Sequence, residues 1–326
     1  MIHTEGLTKD FVVSRKETVH AVRGIDLDVA PGELVAILGP NGAGKTTTMR
    51  MLTTLLAPTS GSARVAGFDV VTQPGQVRRR IGYVGQGNGA GHNQRAADEL
   101  YSQGVTYGLS RADSRRRAGE LLDSLDLAGK AQRKVTDLSG GQRRRLDVAM
   151  GLMHAPPLLV LDEPSTGLDP QNRANLWEHI TAMRTAFDIT VLLTTHYLDE
   201  ADSMAERVVV VDHGEVIADD TPDALKTQFA GDLLVVTTQE PDGAAQLARV
   251  VERWQGATEV TLTGTRISAR IANGTTRVAE LVHTADAAAV GLADVQVRRP
   301  TLDDVFLNLT GRSLRESGTE NEEVAA

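Results

Sequence analysis

The chain has 326 residues and no cysteine, and 34 Lys and Arg face 43 Asp and Glu, which gives a formal net charge of −9. This length accommodates one large domain or two modest ones, whereas the lack of cysteine excludes disulfides, thiolate zinc sites and cysteine nucleophiles. The excess of acidic residues argues against a protein that mainly binds bare nucleic acid. No apolar run approaches the roughly 18–20 residues that span a bilayer, so we expect any membrane role to depend on a partner.

Residues 1–230 alternate between predicted strands and helices, which is typical of a layered α/β domain. A helix is predicted over Lys45–Ala57, where Pro58 ends it. Between about 87 and 150, long charged sequence favours helices and predicts a helical subdomain inserted into the α/β core. Continuous apolar runs predict buried strands at Leu34–Leu38, Leu158–Leu161, Thr190–Leu193 and Arg207–Val211.

Residues 231–311 have a different pattern and predict a small separate module. Its elements follow the order β-α-β-β-α-β, which matches a ferredoxin-like arrangement in outline, and a short amphipathic helix follows. Residues 312–326 are charged and nearly free of apolar side chains, so we predict a disordered tail there. The predicted strands are Leu233–Thr238, Thr258–Thr263, Arg266–Ile271 and Ala293–Val297, and the predicted helices are Ala244–Trp254, Arg277–Ala288 and Leu302–Leu309.

A phosphate-binding loop is predicted between the first buried strand and the next helix. Its sequence, Gly39-Pro-Asn-Gly-Ala-Gly-Lys45-Thr46, fits the pattern G-x-x-x-x-G-K-[ST]. The glycines let backbone N–H groups point at phosphate oxygens, Lys45 reaches the β- and γ-phosphates, and the Thr46 hydroxyl can bind Mg²⁺. The alternative is an ordinary glycine-rich turn with a lysine by chance, which the strand–loop–helix setting disfavours.

Two carboxylates follow the buried strand Leu158–Leu161. Asp162 is suited to hold Mg²⁺ directly or through water, and Glu163 is suited to act as a general base toward the attacking water. A strand that ends in acidic residues is usually only a surface feature. Downstream of a phosphate loop, the functional interpretation is favoured.

The segment Asp137-Leu-Ser-Gly-Gly-Gln142 resembles the LSGGQ signature of ATP-binding-cassette (ABC) ATPases, and it lies about twenty residues before the acidic strand, as in that family. Gln86 is similar to the glutamine of the family's Q-loop, Ser165–Asp169 resembles the D-loop, and His196 resembles the switch histidine. Phe11 lies where the family carries an aromatic side chain that stacks on adenine. The resemblance covers residues 1–230 and implies a P-loop NTPase cassette with a RecA-like α/β core and a helical subdomain.

The resemblance also implies a mechanism in which two chains sandwich two ATP molecules, and the signature of one chain closes on the γ-phosphate held by the other. It implies catalytic roles for Glu163, His196 and Gln86, and a Mg²⁺ site formed by Thr46, Gln86 and Asp162. The implied ATP-binding residues are Phe11, Gly39, Pro40, Asn41, Gly42, Ala43, Gly44, Lys45, Thr46, Thr47, Ser139, Gly140, Gly141, Gln142 and Asp169. For Phe11, a core-filling role is equally open.

Three segments, Arg78–Ile81, Gly141–Asp147 and Pro300–Phe306, resemble the ATPase subunits of daunorubicin-resistance-type exporters. This resemblance implies an ATP-hydrolysing subunit at the cytoplasmic face of the membrane, bound to a separate permease and to a second, identical ATP-binding subunit. The cargo class would be drugs, antibiotics or other amphiphiles. The arginine runs themselves are interpreted as solvated helix faces rather than nucleic-acid contacts.

Two alternatives for the function remain. An ABC ATPase of a translation-associated or DNA-repair machine commonly has two cassettes or a long coiled-coil insertion, and this sequence has neither. A catalytically inactive regulatory subunit is opposed by the combination of Lys45, Ser139, Glu163 and His196.

Two segments depart from the motifs. The run Gly87–Asn93, after Gln86, is unusually glycine-rich for this family and is either an adaptable docking loop or a flexible connection. The C-terminal module has no motif of a catalytic or metal site, and we hypothesise that it stabilises the subunit pair or regulates docking.

Overall fold

The computed structural model describes residues 1–14, 17–91, 93–271 and 274–313. The chain divides into two compact units, one from Met1 to Asp219 and the other from Asp220 onwards. The sequence predicted the division at residue 230, but the helix Pro222–Phe229 belongs to the second unit, where Asn308 donates a hydrogen bond to the Phe229 carbonyl over 2.8 Å. The predicted tail lies outside the described residues from residue 314 onwards.

The first ten strands and seven helices follow the predicted α/β alternation. The strands are β1 (Ile2–Ser14), β2 (Glu17–Val29), β3 (Leu34–Leu38), β4 (Ser60–Val65), β5 (Phe68–Asp69), β6 (Ile81–Val84), β7 (Leu158–Asp162), β8 (Thr190–Thr195), β9 (Arg207–Asp212) and β10 (Glu215–Asp220). The helices are α1 (Lys45–Leu52), α2 (Pro74–Arg78), α3 (Ala96–Thr106), α4 (Arg111–Ser124), α5 (Gly140–Leu152), α6 (Pro170–Phe187) and α7 (Leu198–Met204).

A six-stranded sheet in the order β10-β9-β3-β8-β7-β6 forms the centre of the first unit. The pairs β9–β3, β3–β8, β8–β7 and β7–β6 are parallel, and every residue of β3, β7 and β8 is buried. This explains why these strands have continuous apolar sequences. Because parallel strands end at the same edge, the segments that follow β3, β6, β7 and β8 meet there.

A second sheet has the order β2-β1-β4-β5 and was not predicted from the sequence. Its strands β1 and β2 are each thirteen residues long and pair antiparallel with several register shifts. Leu7, Val22 and Ile25 from this sheet share one core cluster with Val35 and Ile37 of β3. The first unit therefore has two packed sheets rather than one.

Helix α1 is shorter than predicted. It ends at Leu52, whereas the sequence predicted a helix to Ala57. Thr54 has a positive φ of 64°, and the N–H of Leu55 donates to the Arg50 carbonyl over 2.8 Å. Together with the bond from the N–H of Thr54 to the Met51 carbonyl, this forms a Schellman motif with Thr54 in the left-handed position, which ends the helix before the chain reaches the proline.

The helices α3, α4 and α5 form the predicted helical subdomain. Leu100, Leu121 and Leu146, one from each helix, are fully buried. Ser110 caps α4 by accepting a hydrogen bond from the N–H of Asp113 over 3.0 Å. Across the described part of the chain, each helix is too short or too polar to cross a lipid bilayer.

The second unit begins with α8 (Pro222–Phe229) and then follows the predicted β-α-β-β-α-β order. The elements are β11 (Asp232–Thr238), α9 (Pro241–Val251), β12 (Thr258–Thr263), β13 (Arg266–Ile271), α10 (Gly274–Ala287), β14 (Leu292–Arg298) and α11 (Leu302–Thr310). The sheet order is β12-β13-β11-β14, and all three pairings are antiparallel. This confirms the ferredoxin-like arrangement, which has its own core cluster around Leu234, Leu247 and Ile267.

Candidate nucleotide site

The loop between β3 and α1 has the tight backbone that its glycines predict. Gly42 and Gly44 have positive φ angles of 81° and 101°. A Cβ atom at Gly39 would lie 2.2 Å from the Val211 carbonyl oxygen, and one at Gly44 would lie 2.5 Å from the Ala21 carbonyl oxygen. Larger residues at these positions would therefore force the backbone apart. The loop leads directly into α1, whose N-terminus favours anions.

Lys45 lies at the centre of this loop, and 4% of it is exposed. Its Nζ donates to the carbonyl oxygens of Gly39 over 2.7 Å and Pro40 over 3.0 Å, and it lies 3.7 Å from Glu163 Oε1. Burial lowers the pKa of Lys45, while the charge of Glu163 opposes that shift. A phosphate oxygen entering the loop would give this buried cation a stronger partner than two carbonyls.

The three predicted Mg²⁺ ligands lie together. The Thr46 hydroxyl donates to Asp162 Oδ1 over 3.0 Å, and Gln86 Nε2 donates to the Thr46 oxygen over 3.2 Å. Thr194 Oγ1 also donates to Asp162 Oδ1, over 2.7 Å. Hydroxyl, carboxylate and amide oxygens form the donor set that Mg²⁺ prefers, and this ion usually takes its remaining ligands from water and substrate phosphates. The residues therefore fit a magnesium ion.

Glu163 follows Asp162 at the end of β7 and has a left-handed backbone conformation, with φ 47°. Its N–H donates to Thr194 Oγ1 over 3.0 Å, and the Thr166 hydroxyl donates to its Oε2 over 3.2 Å. His196 Nδ1 lies 3.3 Å from the same Oε2. Burial opposes ionisation of the carboxyl group, but His196 and Lys45 outweigh it, so the pKa of Glu163 lies below its usual value. Glu163 is therefore a carboxylate at neutral pH, as a base must be.

The predicted signature residues form a separate helix terminus. Ser139 caps α5: the N–H of Gln142 donates to Ser139 Oγ over 3.3 Å, and the N–H of Ser139 donates to Gln142 Oε1 over 3.1 Å. Asp169 caps α6 by accepting from the N–H of Asn172 over 2.9 Å. For the residues that the structure describes, no hydrogen bond or ion pair joins Ser139, Gln142 or Asp169 to the phosphate loop.

Phe11 lies in β1 opposite Val19 of β2 and is 39% exposed. The Nζ of Lys9 lies 5.4 Å from the centre of its ring. An exposed ring does not fill the core, and a flat face that already attracts a cation is available for stacking. Its stacking on adenine stays a prediction.

Sequence reasoning missed Arg144, a buried residue of α5. Its guanidinium donates to the carbonyl oxygens of Gly85 over 2.7 Å, Pro164 over 2.5 Å and Asp162 over 3.3 Å. Arg144 thus joins α5 to the backbone beside two of the predicted magnesium ligands, Gln86 and Asp162. Its position one turn beyond Gly141, on the buried face of α5, is the sequence signal that could have found it.

The interpretation of the arginine runs as solvated helix faces is therefore partly wrong. Arg144 and Arg145 are only 6% and 7% exposed, and the guanidinium group of each donates hydrogen bonds to buried carbonyl oxygens. Arg78, Arg79 and Arg80 are exposed as expected. Thr194 was also missed, because a threonine at a strand end carries no pattern of its own.

Comparison with known proteins agrees with this geometry. Residues 22–166, from β2 to beyond the acidic strand end, match the family model described as ABC transporter. Daunorubicin resistance ATP-binding protein DrrA2 from Streptomyces coeruleorubidus is 44% identical over 306 residues, covering 94% of each chain. The chain belongs to the ABC transporter ATP-binding proteins.

Two further matches extend this assignment. The daunorubicin/doxorubicin resistance ATP-binding protein DrrA from Streptomyces peucetius is 41% identical to this ABC ATPase over 98% of its length and 95% of the relative's. The ATP-binding cassette MJ0796, solved as a dimer bound to ADP and Pi, aligns with a TM-score of 0.62 and 26% identity. The alignment covers 68% of this ABC ATPase and 98% of MJ0796.

Proposed function

We propose that this ABC ATPase hydrolyses ATP as the nucleotide-binding subunit of a drug exporter. The observation that supports this most is the convergence of a buried lysine, a set of oxygen ligands and an ionised glutamate at one edge of the central sheet. The names of the relatives, which concern daunorubicin and doxorubicin resistance, support export of drugs, antibiotics or other amphiphiles.

The residues of the loop bind and orient the triphosphate. Lys45 exchanges its carbonyl partners for oxygens of the β- and γ-phosphates, while the backbone N–H groups of Gly42–Gly44 and the Thr47 hydroxyl hold the remaining oxygens. Thr46, Asp162 and Gln86 would hold Mg²⁺, which neutralises charge on the β- and γ-phosphate oxygens when bound.

Glu163 accepts a proton of the attacking water as the oxygen of that water bonds to the γ-phosphorus, and the bond from this phosphorus to the β–γ bridging oxygen breaks to leave ADP and phosphate. His196 Nδ1 lies 3.3 Å from Glu163 Oε2, so His196 orients the carboxylate. It also occupies the side of the site that faces the γ-phosphate. Since the pKa of Glu163 is low, the carboxylate is ready to take up a proton rather than already protonated.

A second copy of the chain completes the site. Ser139 and Gly140 expose a helix N-terminus whose N–H groups suit an anion, and among the described residues no hydrogen bond joins them to the phosphate loop of their own chain. Each copy would therefore place its signature on the ATP bound by the other, and Asp169 would lie at the same interface. The solved dimer of the similar cassette MJ0796 supports this arrangement.

We place the assembly at the cytoplasmic face of the cell membrane, bound to a separate permease. An accessory module, predicted over 231–311 and lying within the second compact unit, remains part of this proposal. That module would stabilise the subunit pair or regulate its docking.

Coexpression with a candidate permease from a neighbouring gene tests the function. We expect the two proteins to purify together, and we expect inverted vesicles to accumulate daunorubicin in the presence of ATP. Vesicles that carry the Glu163→Gln variant are the matched control, since they contain the same assembly without hydrolysis. Robust ATPase activity without a copurifying membrane protein, and without transport of any amphiphile tried, would instead favour a non-transport machine.

A further inference from the structure

Two buried carboxylates bind the backbone of the glycine-rich segment that follows Gln86. Asp147 Oδ1 accepts hydrogen bonds from the N–H groups of Gly89 over 3.0 Å and Ala90 over 3.1 Å. Glu99 Oε1 accepts one from the N–H of Gly91 over 3.0 Å. Asp147 is 4% exposed and Glu99 is 8% exposed. The segment is thus attached to α5 through Asp147 and to α3 through Glu99.

The glycines allow this attachment. A Cβ atom at Gly91 would lie 2.5 Å from Glu99 Oε1, and a Cβ atom at Gly89 would lie 3.4 Å from Asp147 Oδ1. At Gly91, any side chain would displace the carboxylate from the backbone. The glycine at position 91 therefore reflects the close approach of a carboxylate, which neither a docking loop nor a flexible connection had suggested.

Release of the segment would be costly. Burial raises the pKa of both Asp147 and Glu99, and the hydrogen bonds from the segment oppose that shift. If the segment moved away, both carboxyl groups would lose these backbone donors, which is unfavourable for groups between packed helices. The segment and the two helices are therefore expected to move together.

Helix α5 extends this connection to the signature. It begins just after Ser139, and Asp147 lies two turns further along. Between them, Arg144 donates to the Gly85 carbonyl on the other side of Gln86 and lies 4.0 Å from Asp147 Oδ2. The chain is thus held by α5 both immediately before and shortly after Gln86.

We propose that Asp147 and Glu99 are positioning residues that make the loop of Gln86 move as one body with α5. Approach of the signature to the ATP of a second copy would then shift Gln86 relative to the magnesium ligand Thr46, which it contacts over 3.2 Å. Hydrolysis would in this way depend on closure of the two copies. This inference rests on the proposed function, because the signature acts on ATP only in that arrangement.

The absence of cysteine from the sequence allows a direct test in the full chain. A spin label at Asn88→Cys, an exposed position inside the segment, reports the mobility of the loop. We expect Asp147→Ala to raise the mobility of the label, because two backbone N–H groups lose their acceptor. Asp147→Asn should leave mobility near that of the parent protein, since the amide oxygen can still accept both hydrogen bonds. Leu121→Ala, at a fully buried site in α4, is the control for general loss of stability.

Turnover gives the second readout. In the same background, Asp147→Ala should lower kcat for ATP about fivefold or more, within the usual range of coupling between sites, while KM changes less than about twofold. Asp147→Asn should restore most of the loss, and Leu121→Ala should leave both constants near those of the parent. Unchanged label mobility in Asp147→Ala, or equal effects of Asp147→Ala and Leu121→Ala, would overturn the proposal. The label needs neither permease nor cargo, so a failure to transport drugs would refute the proposed function without deciding this one.

Discussion

Asp162 and Glu163 are neighbours in the chain, yet their carboxylates have different partners. Asp162 accepts hydrogen bonds from the hydroxyl groups of Thr46 and Thr194, whereas Glu163 faces Lys45 and His196. Glu163 has a positive φ, and this turn of the backbone directs the two side chains toward different partners. One carboxylate is placed for a metal ion and the other for a water molecule.

Glu163→Gln is expected to keep ATP binding and to lose at least about a hundredfold in kcat, the typical contribution of a general base. The amide occupies the same space but cannot accept a proton. Steady-state phosphate release measures the loss, and calorimetric titration with ATP shows whether binding is retained. Hydrolysis at a near-normal rate would assign the base elsewhere.

The pKa of Asp147 predicts the direction in which the free energy of unfolding changes with pH. Burial raises its pKa in the folded protein above the ordinary value of 3.8, although Arg144 opposes the shift and Glu99 lies nearby. The folded state therefore binds a proton more readily than the unfolded state, and the contribution of Asp147 to the free energy of unfolding falls as pH rises through the folded pKa.

The Asp147→Asn variant lacks this titration. As pH rises from 3.8 through the raised folded pKa, the free energy of unfolding of the parent should therefore fall relative to that of the variant. Urea denaturation of both proteins at several pH values measures the difference. A difference that stays constant, or that changes with the opposite sign, would contradict a raised pKa.

Motif spacing predicted much of the candidate site, because the chemistry of a phosphate loop demands particular residue types in order. Lys45, Thr46, Gln86, Asp162, Glu163 and His196 all lie at the predicted edge of the sheet. Thr194 and Arg144 could not be predicted in this way. Their roles depend on which carbonyls and carboxylates the fold brings next to them, and that information is not local in the sequence.

At the scale of secondary structure, the contact between α5 and α6 sets the position of the signature. A Cβ atom at Gly141 would lie 2.5 Å from Asn172 Oδ1, and Asn172 is itself bound to the capping residue Asp169. The backbone at the start of α5, the signature helix, therefore packs directly against a side chain at the start of α6, the helix that follows the D-loop.

Gly141→Ala is expected to push these two helix starts apart and to weaken ATP-dependent dimerisation of the Glu163→Gln form by about tenfold or more, which is on the order of the 1–3 kcal/mol that overpacking costs. Light scattering at a series of protein concentrations measures the effect. Asn172→Ala in the same chain removes the clashing Oδ1 and Cγ atoms and should restore part of the affinity. An unaltered dimer in Gly141→Ala would show that this contact does not position the signature.

The elements most easily predicted were those whose burial is complete. The parallel strands β3, β7 and β8 appear as continuous apolar runs, whereas β1 and β2 are long, partly exposed and interrupted by register shifts, so no simple periodicity marks them. The end of α1 was placed too late because a left-handed residue, Thr54, ends the helix before the chain reaches Pro58.

At the scale of the whole molecule, the two compact units have separate cores and contain one tryptophan each. Trp177 is buried in the first unit and Trp254 is 9% exposed in the second, and the sequence has no other tryptophan. Each unit therefore has its own fluorescent reporter.

Single-tryptophan variants, Trp254→Phe and Trp177→Phe, should show that Mg²⁺ and ATP raise the midpoint of thermal unfolding reported by Trp177 and leave that of Trp254 unchanged. A ligand stabilises only the unit whose folded state binds it, by about 2.7 kcal/mol at a hundredfold excess over Kd. Fluorescence melts with and without nucleotide make the measurement. Equal shifts of both midpoints would mean that the two units unfold as one.

The left-handed backbone at Glu163 has a consequence for how this cassette can be improved. An L-residue in that conformation costs on the order of 1–2 kcal/mol, a cost that glycine avoids. Glycine at this position would relieve that strain, but it would also leave the buried Lys45 without the carboxylate that lies 3.7 Å away. The two effects oppose each other in thermal stability while only one of them concerns turnover, so directed evolution of this ATPase needs a growth or turnover screen rather than a heat challenge alone.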